Sequence, residues 1–150
     1  MMTIEYQKID ELLLGKITDA YGGWLKNCIF ARDDAFALAP LDNGVPVGYI
    51  CVTPRALTYP LEHLKDAYIE VLGVKENYRR QGIGRHLVEC AEAWAAREGF
   101  RQIRTHSDHE SAEAIKMWYA MGYGLCPADD WLEDTKTYCP GYWVAKVLFT

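Results

Sequence analysis

The chain has 150 residues, half of them hydrophobic and 25% charged, which allows one globular domain with a real core. The net charge of −5 argues against a nucleic-acid binder, which would carry a basic stripe, and no apolar run approaches the ~20 residues of a membrane span. Its five cysteines, an odd number with no CxxC pair, argue against a disulfide framework or a zinc site, and the start MMTIEYQKIDELLLGKI lacks a signal-peptide pattern, so a reduced, cytoplasmic protein without metal is expected.

Residues 2–7 read as a first strand, and a helical pattern follows over 9–29, with breaks expected at Gly15 and at Tyr21-Gly22-Gly23. In residues 35–54 two apolar runs flank Asp42-Asn43-Gly44, whose Asn-Gly supplies the positive φ angles of a tight hairpin. Residues 54–66, with Pro54 and Pro60, predict a loop holding a short helix. Residues 67–74, AYIEVLGV, read as a buried strand in which Glu70 is out of place unless it finds a partner, a cavity or an open face. Residues 84–98 predict a helix with Ile83, Leu87, Cys90, Ala91 and Trp94 inward and Arg85, Glu89, Glu92 and Arg97 elsewhere, ended by Gly99. Residues 100–107 read as a strand, parallel to the previous one because a helix crosses between them. A helix over 110–121, with Ala114, Ile115 and Trp118 inward, stops at Gly122, and strands follow at 123–126 and 142–149. The fold class is a mixed α/β sheet flanked by helices.

The seam between strand and helix is Arg79-Arg80-Gln81-Gly82-Ile83-Gly84. Glycines there turn the backbone sharply and uncover its N–H groups, and the following helix offers unpaired N–H groups at its positive end. The product is an anion site suited to a phosphate or a diphosphate. It is not a nucleotide-triphosphatase loop, because Gly84 is followed by Arg85-His86 rather than Lys-Ser/Thr. Nor is it the dinucleotide fingerprint, because Leu87 stands where a third glycine belongs.

Arg79-x-x-Gly82-x-Gly84 after a strand ending in Val74 resembles the acyl-coenzyme A signature of the GNAT superfamily of N-acetyltransferases, Arg/Gln-x-x-Gly-x-Gly/Ala. KMWYAMGY (116–123) resembles that family's aromatic-Tyr-x-x-Gly-aromatic segment. The resemblance implies an acetyl-CoA-dependent N-acetyltransferase with a bulged strand splayed from its parallel neighbour. It implies that the backbone of Leu72 and Val74 bonds the pantetheine amides. Arg79 and the main-chain N–H groups of Arg80, Gln81, Gly82, Ile83, Gly84 and Arg85 would hold the diphosphate. Tyr119 would be the general acid for the departing thiolate, and Glu70 the base for the amine, through water.

Ser107-Asp108 resembles, more weakly, a pair in some aminoglycoside 6′-N-acetyltransferases, which implies Asp108 as a receiver of a cationic amine. Trp24 and Tyr21 would reach the acceptor from the first helical region. Asp129, Asp130, Glu133 and Asp134, beside Trp131 and Tyr138, read as an acidic loop, either simply solvated or a wall suited to a polyamine, aminoglycoside or lysine-like substrate. His106 and His109 lack further ligands at metal spacing. The reading is direct acetyl transfer to a small cationic amine. A catalytically weak acyl-CoA sensor or interaction module and a peptide or protein N-acetyltransferase stay open beside it. The resemblance implies a homodimer as one form of assembly, with no interface legible in the sequence.

Overall fold

The computed structural model describes residues 3–108 and 110–148. The chain runs β1 (Ile4–Lys8), α1 (Glu11–Tyr21), a 3-10 turn (Gly23–Asn27), β2 (Phe36–Asp42), β3 (Val45–Pro46), β4 (Gly48–Ala56) and β5 (Lys65–Val74). It continues through a second 3-10 turn (Glu76–Tyr78), α2 (Ile83–Arg97), β6 (Gln102–Asp108), α3 (Ala112–Ala120), β7 (Gly124–Pro127), β8 (Asp130–Leu132), β9 (Thr137–Cys139) and β10 (Gly141–Val147). Among the described residues eight strands form one mixed sheet, β1-β2-β4-β5-β6-β10-β7 with β3 beside β2, while β8 and β9 pair separately. β5 and β6 are parallel, as the α2 crossover demands, and the other neighbours are antiparallel.

Strand alternation gives the sheet two covered faces. On one, α2 buries Ile83, Leu87, Val88, Ala91 and Ala95 against Ile50, Val52, Ala67, Ile69 and Ile103. On the other, α1 and the first 3-10 turn bury Leu13, Ile17 and Leu25 against Ala37, Ala39 and Cys51. Asp10 starts α1, its Oδ1 accepting from Leu13 N at 2.8 Å. The Asn43-Gly44 turn has the expected positive φ angles, 52° and 80°.

Four expectations need correction. Gly15 does not break α1, since it lies between the buried Leu13 and Ile17, and their packing outweighs the ~1 kcal/mol that a helical glycine costs. The short helix in 54–66 does not form. β4 instead runs through Pro54, where β2 no longer pairs beyond Val52 and a proline meets an open edge. Glu92 turns inward, accepting from Tyr123 Oη at 2.7 Å and pairing with Lys146 Nζ at 3.2 Å. The acidic loop after β7 is the β8–β9 hairpin, with Trp131 and Tyr138 edge-on at 4.9 Å. Met2, His109 and Phe149 lie outside the described residues.

Candidate active site

The site begins with a slip of register. Val52 lies opposite Ile69 but Cys51 lies opposite Val71, so Glu70 is the extra residue of a β-bulge. Its side chain stays on the face of Tyr68 and Thr53, while Leu72 and Val74 turn toward α2. Pairing of β5 with β6 ends at the same level. Ala67 lies opposite Ile103 and Tyr68 opposite Arg104, after which the strands part. Thr105 stands at the fork, its Oγ1 donating to Ile69 O at 2.8 Å.

A cleft of about 960 Å³ lies along the end of β5, the loop from Arg79 to Arg85 and the first turns of α3. Gly82 caps α2 in a left-handed conformation, φ 80°. α2 starts with no side-chain cap and no acid in its first turn, whereas α1 and α3 carry Glu11 and Glu113 there. Its first N–H groups and its dipole are thus left to an outside anion. Arg79, Arg80, Arg85 and Lys116 line the same cleft. This donor set fits the diphosphate of an acyl-CoA. All of the nine expected cofactor residues except Gln81 line the cleft, but Val74 O already accepts from Arg79 Nε at 2.9 Å.

The opposite face of β5 is polar and aromatic. Glu70, whose side chain is 12% exposed, accepts from Thr53 Oγ1 at 2.6 Å and Arg55 Nε at 3.0 Å on Oε1, and from Arg55 Nη2 at 2.7 Å on Oε2. Arg55 stacks 3.8 Å over the Tyr68 ring, and Arg104 lies 5.2 Å from the same ring while pairing with Asp66 at 2.7 Å. A carboxylate has about four acceptor positions, so Oε2 keeps one for a water or an amine.

The remaining predicted residues are not all brought together. Tyr119 is 75% exposed and does not line the cleft, because α3 turns Met117 to the cleft and Trp118 into the core. Trp24 folds back over Gly22 and is largely exposed. Tyr21 donates to Pro46 O at 2.7 Å and lines a second cavity of about 230 Å³ with Tyr49, Gly73 and Arg79. Asp108 ends β6, its Oδ1 accepting from Glu110 N at 2.8 Å and its Oδ2 from Cys139 Sγ at 3.7 Å. The Cys139 thiol is pushed up by burial and then by Asp108, with smaller contributions from Asp130 and Asp129, so these three acids share one neighbourhood. Thr53 and Arg55, the clamp on Glu70, carry no signal in the sequence, and neither do Glu113 and Lys116 on the cleft wall. Among the described residues no group of three or more His, Cys, Asp or Glu is placed to hold a metal ion, and no helix is long and apolar enough to cross a membrane.

The model of the acetyltransferase (GNAT) family matches residues 7–123. GCN5-related N-acetyltransferase 4, chloroplastic, of Arabidopsis thaliana is 39% identical over 57 residues, which are 38% of this chain and 20% of that protein, so the match spans a fifth of that relative's length. Arabidopsis thaliana NAA60, solved with a bisubstrate analogue, superposes with a TM-score of 0.79 at 16% identity over 97% of this chain and 98% of that one. YncA of Salmonella typhimurium, solved with its cofactor acetyl-CoA, gives 0.74 at 14% identity over 97% and 94%. Arabidopsis thaliana Naa50, in complex with the bisubstrate analogue CoA-Ac-MVNAL, gives 0.72 at 20% identity over 95% and 97%. At these identities the likeness is one of fold.

Proposed function

Since the chain belongs to the acetyltransferase (GNAT) family, we propose that it moves an acetyl group from acetyl-CoA to a primary amine by direct attack in a ternary complex. The observation that carries this is the cleft between a parted β5 and an α2 that begins with neither cap nor acid. The loop amides and arginines hold the diphosphate, and the strand end at Leu72 guides the arm toward the bulge. The amine gives up one proton and its nitrogen adds to the thioester carbonyl. The nitrogen then sheds its second proton as the C–S bond breaks, and coenzyme A leaves as a thiolate that takes up that proton through water. Glu70 Oε2, with its remaining acceptor position, receives the amine's proton through water.

Direct transfer is supported by four of the five cysteines. Burial pushes the thiols of Cys28, Cys90 and Cys139 up, and that of Cys51 to about 11, so these are poor nucleophiles at neutral pH. A small cationic acceptor is supported by the shared neighbourhood of Asp108, Asp129 and Asp130 at the end of β6. The weaker likeness to aminoglycoside 6′-N-acetyltransferases belongs with that reading and rests on Ser107-Asp108 alone. A peptide acceptor is the second reading, favoured by the bisubstrate complexes of NAA60 and Naa50, whose fold this chain shares.

The test is coenzyme A release across polyamines, aminoglycosides, amino acids and short peptides. Turnover of polyamines or aminoglycosides above peptides is expected. Turnover of peptides alone selects the second reading. Firm acetyl-CoA binding without any turnover replaces the enzyme by an acyl-CoA sensor.

A further inference from the structure

One ion pair spans the mouth of the cleft. Arg80 Nε and Nη2 donate to Glu113 Oε1 at 3.0 and 2.5 Å, tying the glycine loop to the first turn of α3. Both residues line the cavity. Arg80 reaches across from a left-handed backbone, φ 63°, which residues with a β-carbon seldom adopt. The hydrogen bond and charge of Arg80, with lesser help from Arg79 and Lys116, hold the Glu113 carboxyl below its ordinary range. The side chains are 83% and 56% exposed, so the pair is open to exchange.

We propose that Glu113 sets the affinity of the cleft for its polyanionic ligand by occupying Arg80, and that the ligand's diphosphate displaces it. The proposal rests on the reading of the cleft as an acyl-CoA site. The cations of the wall are Arg79, Arg80, Arg85 and Lys116, and Glu113 both neutralises one of them and repels phosphate. The exchange leaves no charge stranded. The diphosphate takes Arg80, and Lys116, three residues on along α3, receives the released carboxylate. The same exchange in reverse lets Glu113 compete spent coenzyme A off the loop.

Isothermal titration of acetyl-CoA and of coenzyme A into wild type, Glu113→Gln, Arg80→Gln and the double variant tests this. An exposed pair of this kind corresponds to about two- to fivefold in an equilibrium constant, so Glu113→Gln is expected to bind both ligands tighter by about that factor. Arg80→Gln is expected to cost more affinity in the Glu113→Gln background than in wild type, and the gain to shrink in high salt. General damage to the fold would not tighten binding, and Glu113→Ser, melted alongside, repeats the measurement with a second side chain. Unchanged or weaker binding by both Glu113 variants, with wild type binding normally, overturns the proposal alone. A wild type that binds no acetyl-CoA overturns the reading of the cleft and the exchange with it.

Discussion

Gly82→Ala and Gly84→Ala have the same composition and stand two residues apart, yet the structure assigns them opposite outcomes. A Cβ at Gly82 meets no atom within 4 Å, but φ there is 80°. The cost is therefore all backbone, roughly 1–2 kcal/mol for a side chain held in the left-handed region. Gly84 lies in the first turn of α2, and a Cβ there would come 3.6 Å from Val74 Cγ2 and 3.7 Å from Met117 Sδ, ordinary contact distances. Replacing a helical glycine by alanine gains about 0.5–1 kcal/mol. The two variants should differ by about 2 kcal/mol, or about 4–8 °C in melting temperature for a domain of this size. Guanidinium titration reads the difference, and Gly82→Asn, which tolerates the left-handed region, should recover part of the loss. Acetyl-CoA titration should show affinity kept by Gly84→Ala and reduced by Gly82→Ala. Equal destabilisation by the two alanines would refute this account of the loop.

Tyr119→Phe is expected to leave turnover within about twofold of wild type, because the phenol stands outside the cleft; a loss of about 10²–10⁴ with binding kept would restore it as the acid. Burial, and then the bond to Glu92, push the Tyr123 phenol far above its ordinary 10.0. Above pH 10 the unfolded chain releases a proton that the folded one keeps, so this contribution is complete below that pH and fades as pH rises, by up to ~1.4 kcal/mol per unit. Tyr123→Phe should lower stability by ~1 kcal/mol at pH 8 and flatten that alkaline slope, read by denaturant titration at several pH values. Lys146→Met leaves Glu92, 15% exposed, with Tyr123 alone, and should cost about 1–3 kcal/mol in the same assay; no loss would mean that the pair contributes nothing.

Much of this architecture follows from local pattern. The α2 bounds, the Asn43-Gly44 turn and the glycine seam depend on neighbours in sequence, and all three stand within a residue of expectation. What escapes is set by partners far along the chain. The clamp on Glu70 comes from Thr53 and Arg55, 17 and 15 residues away on β4, and exists only because β4 and β5 pair in a register that sets those two side chains on the same face as Glu70. Tyr119 illustrates a second limit. Neighbouring side chains on a helix diverge by about 100°, so an aromatic pair in the expected place sends one ring inward and the other to solvent, and only the packing of α3 decides which.

The parting of β5 from β6 has a cost that the free protein bears continuously. Two strands in the middle of a sheet forgo the ladder that would lock them together, so the centre of the molecule contains an unzipped seam. An extended guest carrying amides can supply the missing rungs and thereby act as a temporary strand. The guest then becomes a piece of the scaffold, and amide exchange at residues 70–74 and 105–108 should slow in step with occupancy.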